Sequence, residues 1–252
     1  MADRLLAQGK QEAALAEYHL ALEADPQNPD ILARLAYLYD RLGDVTATEN
    51  VLRDLIAVDP ENAAALEKLG LLELKRGQRE SAEQRLDRAE VLGRTSWQLF
   101  NGLGVLADYR GDYPVAREYY GRGLGQQPTN RALLLNNIGY SHYLAGELVE
   151  ALTLFNKALA VDPKFEQALS NKGLALIRTD RSVEALNVFR TFMSEEKALN
   201  NVGFLNMLFN NHQVAERYFR MAIKASPAYY KEAHENLQHL QQLQQGDRLS
   251  KL

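Results

Sequence analysis

A small residue recurs at Ala36, Gly70, Gly104, Gly139, Gly173 and Gly203, at spacings of 34, 34, 35, 34 and 30 residues. A set of satellites travels with it. Seven residues on stands a turn residue: Gly43, Gly77, Gly111 and Gly146, then Asp180 and Asn210 in place of glycine. Twelve residues on stands a second small residue, Ala82, Ala116, Ala151, Ala185 or Ala215, with Thr48 the exception. Four positions further comes a large apolar one: Leu52, Leu86, Tyr120, Phe155, Phe189 or Phe219. Proline closes most units, at Pro26, Pro60, Pro128, Pro163 and Pro227. Such a period spells helix, tight turn, helix, stop. Small residues where helices cross let the axes approach, and the large ones fill the space between successive pairs. One unit cannot bury its own apolar face, so the units must stack.

The pattern resembles the tetratricopeptide repeat over nearly the whole chain: small residue at the eighth position, glycine at the fifteenth, alanine at the twentieth, aromatic at the twenty-fourth, proline at the thirty-second. The resemblance implies an all-α fold, a right-handed α-solenoid of stacked helix-turn-helix units in a single domain over 1–252. About seven repeats are expected (1–28, 29–62, 63–96, 97–131, 132–165, 166–194 and 195–228), followed by a solvating helix over 229–245 with Ala233, Leu237, Leu240 and Leu243 inward. Met1 falls at the seventh position of the first repeat, so natural sequence is expected to be missing upstream.

Three departures stand out. Arg94 replaces the proline of the third unit. The sixth unit lacks glycine and proline and is four residues short, so its second helix is expected to end near Met193 with Ser194 capping the next. Gly121, Gly123 and Gly125 fall inside one second helix. Each costs about 1 kcal/mol relative to alanine, which predicts a weak or bent helix.

Composition narrows the function. A formal charge of −4 offers no basic excess for a nucleic-acid backbone, so no nucleic-acid partner is expected. The absence of cysteine excludes disulfides, thiolate metal sites and a cysteine nucleophile. No apolar run approaches the roughly 18 residues of a membrane helix, and MADRLLAQGK has neither the basic nor the apolar region of a signal peptide. The five histidines show no HExxH spacing, and His142 falls at a packing position. GRGLG at 121–125 follows no strand and precedes no lysine–serine/threonine pair, and no GxSxG is present. No catalysis, metal or cofactor is expected.

At 100° per residue, positions 4, 7, 8 and 11 of each first helix share one arc and are packing positions. Positions 2, 5, 6, 9, 12 and 13 share the opposite arc, which lines the concave groove of a stacked array. Along the chain they read Arg34, Tyr37, Asp40 and Arg41, then Glu67, Lys68 and Lys75, then Asn101, Asp108 and Tyr109, a polar set of mixed charge. The later units contribute Asn136, Asn137, Tyr140, Tyr143 and Leu144, then Ser170, Asn171, Leu174, Ile177 and Arg178, then Asn200, Asn201, Phe204, Met207 and Leu208. Here the face is apolar with asparagines set into it.

Asn137, Asn171 and Asn201 share the sixth position. An asparagine amide offers a donor and an acceptor together, so such a row can hydrogen-bond an extended peptide while apolar neighbours hold its side chains. It resembles the asparagine ladders of peptide-binding tetratricopeptide proteins. The candidate peptide-binding groove is therefore Asn101, Tyr109, Asn136, Asn137, Tyr140, Tyr143, Asn171, Leu174, Arg178, Asn201, Phe204 and Met207, with Arg34, Lys68 and Lys75 as candidate contacts for an acidic segment. The competing reading is asparagine tolerated on a solvated helix face. On the binding reading, alanine at all three sixth positions weakens the partner and leaves the melting temperature little changed.

The stretch NNVGFLNMLFNNHQVAERYFRMAIKASPAYYKEAHENL is similar to the end of TadD-type proteins, the tetratricopeptide lipoproteins of the Flp (tight adherence) pilus. The likeness is carried by the NN-G start, the A-E-R-Y-F helix, and Ser226, Pro227, Tyr229, Tyr230, Ala233, Glu235, Asn236 and Leu237. It implies a non-enzymatic scaffold on the periplasmic face of the outer membrane, anchored as a lipoprotein through a cysteine upstream of this chain. Its partner would be the pilus secretin or another Tad component. The alternative is a cytoplasmic regulatory or adaptor subunit of another complex. No three consecutive units carry the lysine and asparagine pattern of a chaperone carboxylate clamp.

Overall fold

Short polar side chains start the helices by accepting from their first free amides. Asn28 accepts from the amides of Asp30 and Ile31 at 3.1 and 3.2 Å, Asn62 from Ala65, Ser96 from Leu99, and Asn130 from Leu133. Asp44 and Asp112 do the same for second helices, accepting from Ala47 and Val115. The turn inside each pair needs a left-handed residue. Gly43, Gly77, Gly111 and Gly146 have φ of 77–82°, and Asp180 and Asn210 adopt 58° and 61°. Aspartate and asparagine are the side chains that tolerate this region best.

The computed structural model describes residues 1–226 and 228–249; Pro227, expected to close the seventh unit, lies outside the described residues. The described residues form helix pairs: α1 (Ala2–Ala7) with α2 (Gln11–Ala24), α3 (Pro29–Leu42) with α4 (Val45–Val58), α5 (Ala63–Lys75) with α6 (Arg79–Val91), and α7 (Trp97–Arg110) with α8 (Tyr113–Gly125). These belong to one compact unit, Met1–Pro128. A second unit, Thr129–Leu252, holds α9 (Arg131–Leu144) with α10 (Leu148–Val161), α11 (Glu166–Arg178) with α12 (Ser182–Phe189), α13 (Glu195–Leu208) with α14 (His212–Ala225), and α15 (Lys231–Leu249).

From α5 onward the eighth-position glycine of each pair meets the large residue of the second helix. A Cβ on Gly139 would lie 2.8 Å from Phe155 Cε1, and one on Gly203 2.7 Å from Phe219 Cδ1. Phe155, Phe189 and Phe219 are fully buried and anchor the apolar clusters of the second unit. In the first unit Tyr120 fills the same place against Gly104, and its hydroxyl donates to Asp108 at 2.8 Å.

The structure alters three expectations. Helix α8 runs unbroken through Gly121, Gly123 and Gly125. Gly123 is buried, whereas a Cβ on Gly121 would meet nothing within 4 Å. Gly121→Ala is therefore expected to stabilise the protein by about 0.5–1 kcal/mol, read as a raised thermal midpoint.

Helix α12 ends at Phe189, four residues before Met193. Arg190 grips Glu195 through two contacts, Nε to Oε2 at 2.6 Å and Nη2 to Oε1 at 2.5 Å. Phe192 and Met193 pack on the core, which draws the chain into a turn instead of another helical turn. Ser194 occupies the cap position of α13, but its hydroxyl donates to Glu196 at 2.5 Å and does not accept from the helix amides.

In α15, Ala233 and Leu240 are fully buried and Leu237 packs beside them, while Leu243 is exposed. Ten residues from Ala233 place Leu243 roughly 80° around the helix, at the margin of the apolar stripe.

Candidate functional site

In the second unit α9, α11 and α13 are successive neighbours. The residue after each packing glycine stands at one register: Tyr140, Leu174 and Phe204. Tyr140 and Phe204 are 37% and 38% exposed, and Leu174 is half-buried. Four residues on are Leu144, Arg178 and Leu208, all exposed. A contiguous row of large apolar side chains open to water is the signature of a surface that another molecule covers.

Asn137, Asn171 and Asn201 are half-buried along the same helices, and their amides are engaged within the chain. Asn171 Nδ2 donates to Asn136 Oδ1 at 2.9 Å, and Asn136 Nδ2 donates to Asn137 Oδ1 at 3.3 Å. Asn201 Nδ2 reaches Met193 Sδ at 3.6 Å. The side-chain oxygens of Asn171 and Asn201 accept no hydrogen bond among the described residues, so acceptors alone remain where the sequence offers donor and acceptor together.

Asn136, Tyr143 and Met207 do not face a groove. They are 0%, 8% and 7% exposed, and Ile177 and Asn200 are buried with them. All five occupy the fifth or twelfth position. These are seven residues apart, so they fall within about 20° of each other around the helix. That edge turns toward the neighbouring helices rather than to solvent. Asn136 bonds Asn171 on α11, and Asn200 accepts from Asn236 Nδ2 on α15 at 3.1 Å. The Tyr143 ring lies between Tyr140, stacked at 5.8 Å, and the Arg178 guanidinium at 4.9 Å. Met207 packs with Ala215, Phe219 and Leu240. The doublets Asn136–Asn137 and Asn200–Asn201 therefore divide labour: the first residue joins the neighbouring helix, the second borders the exposed row.

The other predicted residues lie in the first unit. Asn101 is half-buried, and Tyr109 is exposed with Arg79 stacked on its ring at 3.9 Å. Arg34 pairs with Asp3, whose carboxyl is held below its usual range by the Tyr18 hydroxyl and by Arg34 itself. Lys68 pairs with Asp40 at 2.6 Å, and Lys75 is exposed. The fifth-position edge of α3 differs from the rest: between α3 and α5 lies a cleft of about 340 Å³ floored by Ala36, Leu52, Leu55 and Ala65. No sixth-position asparagine marks this cleft in the sequence. The available signal was Ala33, a fifth position carrying nothing large enough to fill the gap.

Stacked helix pairs, four of them closed by a glycine–aromatic contact, with an exposed apolar row and an open cleft define a helical repeat protein of the interaction type. Residues 34–96 and 101–164 match the sequence pattern described as "Tetratricopeptide repeat", and residues 2–43 one described as "TPR repeat". The chain belongs to the tetratricopeptide repeat family, a non-catalytic scaffold fold whose members generally mediate protein–protein interactions. A curated relative, the BBSome complex member BBS4 homolog of Drosophila melanogaster, is 24% identical over 195 residues, 76% of this chain. This chain spans only 39% of that relative's length. A tetratricopeptide repeat protein from Parabacteroides merdae superposes with a TM-score of 0.64 at 13% identity, covering 95% of this chain and 96% of that one. The Pseudomonas aeruginosa pilF structure does so with 0.59 at 16%, covering 82% and 95%. At these identities both report on the fold alone.

Proposed function

We propose that this protein is a non-catalytic scaffold that binds an extended segment of a partner protein across α9, α11 and α13. The observation that carries the reading is the row Tyr140, Leu174 and Phe204, open to water at one register on three neighbouring helices. Neighbouring helices lie about 8–10 Å apart. An extended chain rising about 3.3 Å per residue crosses the three in roughly six residues. Its alternate side chains would sit on the row, and the Asn171 and Asn201 oxygens would accept from its amides.

The machine it serves, on this proposal, is a bacterial envelope assembly, with the pilus secretin or another Tad component as partner and a periplasmic location on the outer membrane. The likeness of residues 200–237 to TadD-type proteins supports this. The alternative is a cytoplasmic regulatory or adaptor subunit of another complex, and the relative named as a member of the BBSome complex supports the complex-subunit part of it.

The test uses tagged protein and the double variant Tyr140→Ala/Phe204→Ala, each presented to an envelope extract and read by quantitative mass spectrometry. Loss of the specific partner by at least tenfold, with the melting temperature unchanged, is the expected result. Recovery of the same proteins by both forms contradicts it.

A further inference from the structure

We propose that the cleft between α3 and α5 is a second docking site, different in chemistry from the C-terminal row, and that it takes one large apolar side chain flanked by a carboxylate on a partner protein. At the fifth position the other first helices carry Glu67, Asn101, Asn136, Ser170 and Asn200, whereas α3 carries the exposed Ala33. Ala33 leaves this edge uncovered, and the cleft it borders measures about 340 Å³, at the lower end of the range for ligand sites. Its floor is alanine and leucine, so it offers no hydrogen bond to the group that enters, and a polar group buried there would go unpaired.

The mouth carries two cations, Lys68 and Arg94, each paired with a carboxylate. Arg94 stands where the repeat pattern places proline, and its Nε donates to Glu67. Glu67 is 5% exposed and also accepts from the Ser96 hydroxyl, so one edge of the guanidinium is fixed. The terminal nitrogens of Arg94 make no hydrogen bond among the described residues, and its side chain is 43% exposed. A planar fork held in this way is preorganised for a carboxylate. Lys68, on the same rim, is paired with an exposed Asp40. An exposed pair contributes at most about 1 kcal/mol, so an incoming carboxylate replaces Asp40 at little cost. The two cations and two carboxylates of the rim balance, so an incoming carboxylate is met by the unfilled edge of the Arg94 guanidinium and by Lys68 once Asp40 is displaced. The lining reaches α7 through Gln98, so the cleft is crossed by three first helices and suits a chain running over them rather than an enclosed small molecule.

The experiment is a fluorescence-anisotropy titration of the full chain with a labelled heptapeptide bearing a central phenylalanine flanked by aspartates. Two control peptides replace the aspartates by asparagine or the phenylalanine by alanine. The acidic phenylalanine peptide is expected to bind at least tenfold tighter than either control. Ala33→Gln, which sets a longer side chain at the edge of the cleft from an exposed helical position, is expected to weaken that binding severalfold. Arg94→Gln is expected to bring the acidic peptide down to the affinity of its asparagine control. Because that change strands Glu67, Lys68→Gln serves as a second variant and is expected to cost severalfold. Tyr140→Ala/Phe204→Ala is expected to leave this titration unchanged, which separates the cleft from the C-terminal row. Equal affinity for all three peptides, no binding up to 1 mM, or full binding by Ala33→Gln overturns the proposal. Displacement by dodecanoate at lower concentration than the peptide overturns it in favour of an amphiphilic carboxylate.

Discussion

Phe155→Ala is expected to cost the second unit about 3–5 kcal/mol, the range for emptying a fully buried aromatic site, read as a lowered denaturation midpoint. Phe155 is completely buried, and its ring occupies the volume that a Cβ on Gly139 would need, at 2.8 and 2.9 Å. Gly139→Ala alone is expected to destabilise by about 1–3 kcal/mol through overpacking. This holds although alanine is the better helix former by about 1 kcal/mol. The decisive result is the double variant. In the space vacated by Phe155→Ala, Gly139→Ala is expected to lose most of its cost, with Leu154 Cβ at 3.1 Å as the close neighbour that remains. Additive losses would show that the glycine is held for some reason other than the aromatic ring.

Asn171→Ala is expected to cost about 1–3 kcal/mol, the penalty for leaving a buried acceptor unpaired. The stranded group is Asn136 Oδ1, on a residue with no exposed surface whose partner from α11 is Asn171 Nδ2. Asn201→Ala loses only a 3.6 Å contact to sulfur and is expected to change the melting temperature little. By sequence the three sixth-position asparagines are equivalent, and all three are expected to be silent in stability. Chemical denaturation of the two single variants separates the accounts: unequal midpoints support the cross-helix amide pair, equal and unchanged ones restore the simple row.

The repeat register was legible because each marker acts within a single unit. A glycine facing an aromatic sixteen residues on, as at Gly139 and Phe155, is a local pairing. So is the left-handed turn, which survived even where Asp180 and Asn210 replace glycine. What escaped was the fit between neighbouring units. Whether the fifth position is covered depends on the side chain that the next first helix sets against it. Asn136 therefore disappears against Asn171, 35 residues on, while Ala33 leaves a cleft. The pairing of Arg94 with Glu67 spans 27 residues and has no sequence pattern of its own. The early end of α12 was misplaced for a related reason, since Arg190 and Glu195 close the turn by an ion pair that helix propensity does not encode.

Site-specific photo-crosslinking tests the exposed C-terminal row most directly. A photoreactive phenylalanine analogue is placed at Phe204, on the row, and in a second preparation at the exposed Val183 on α12, outside it. Both are irradiated in cell extract and the adducts mapped by mass spectrometry. A discrete adduct from position 204, joined to one short segment of one partner chain and absent from position 183, is the predicted result. No adduct at 204, or the same adducts from both positions, would contradict a docking face on α9, α11 and α13.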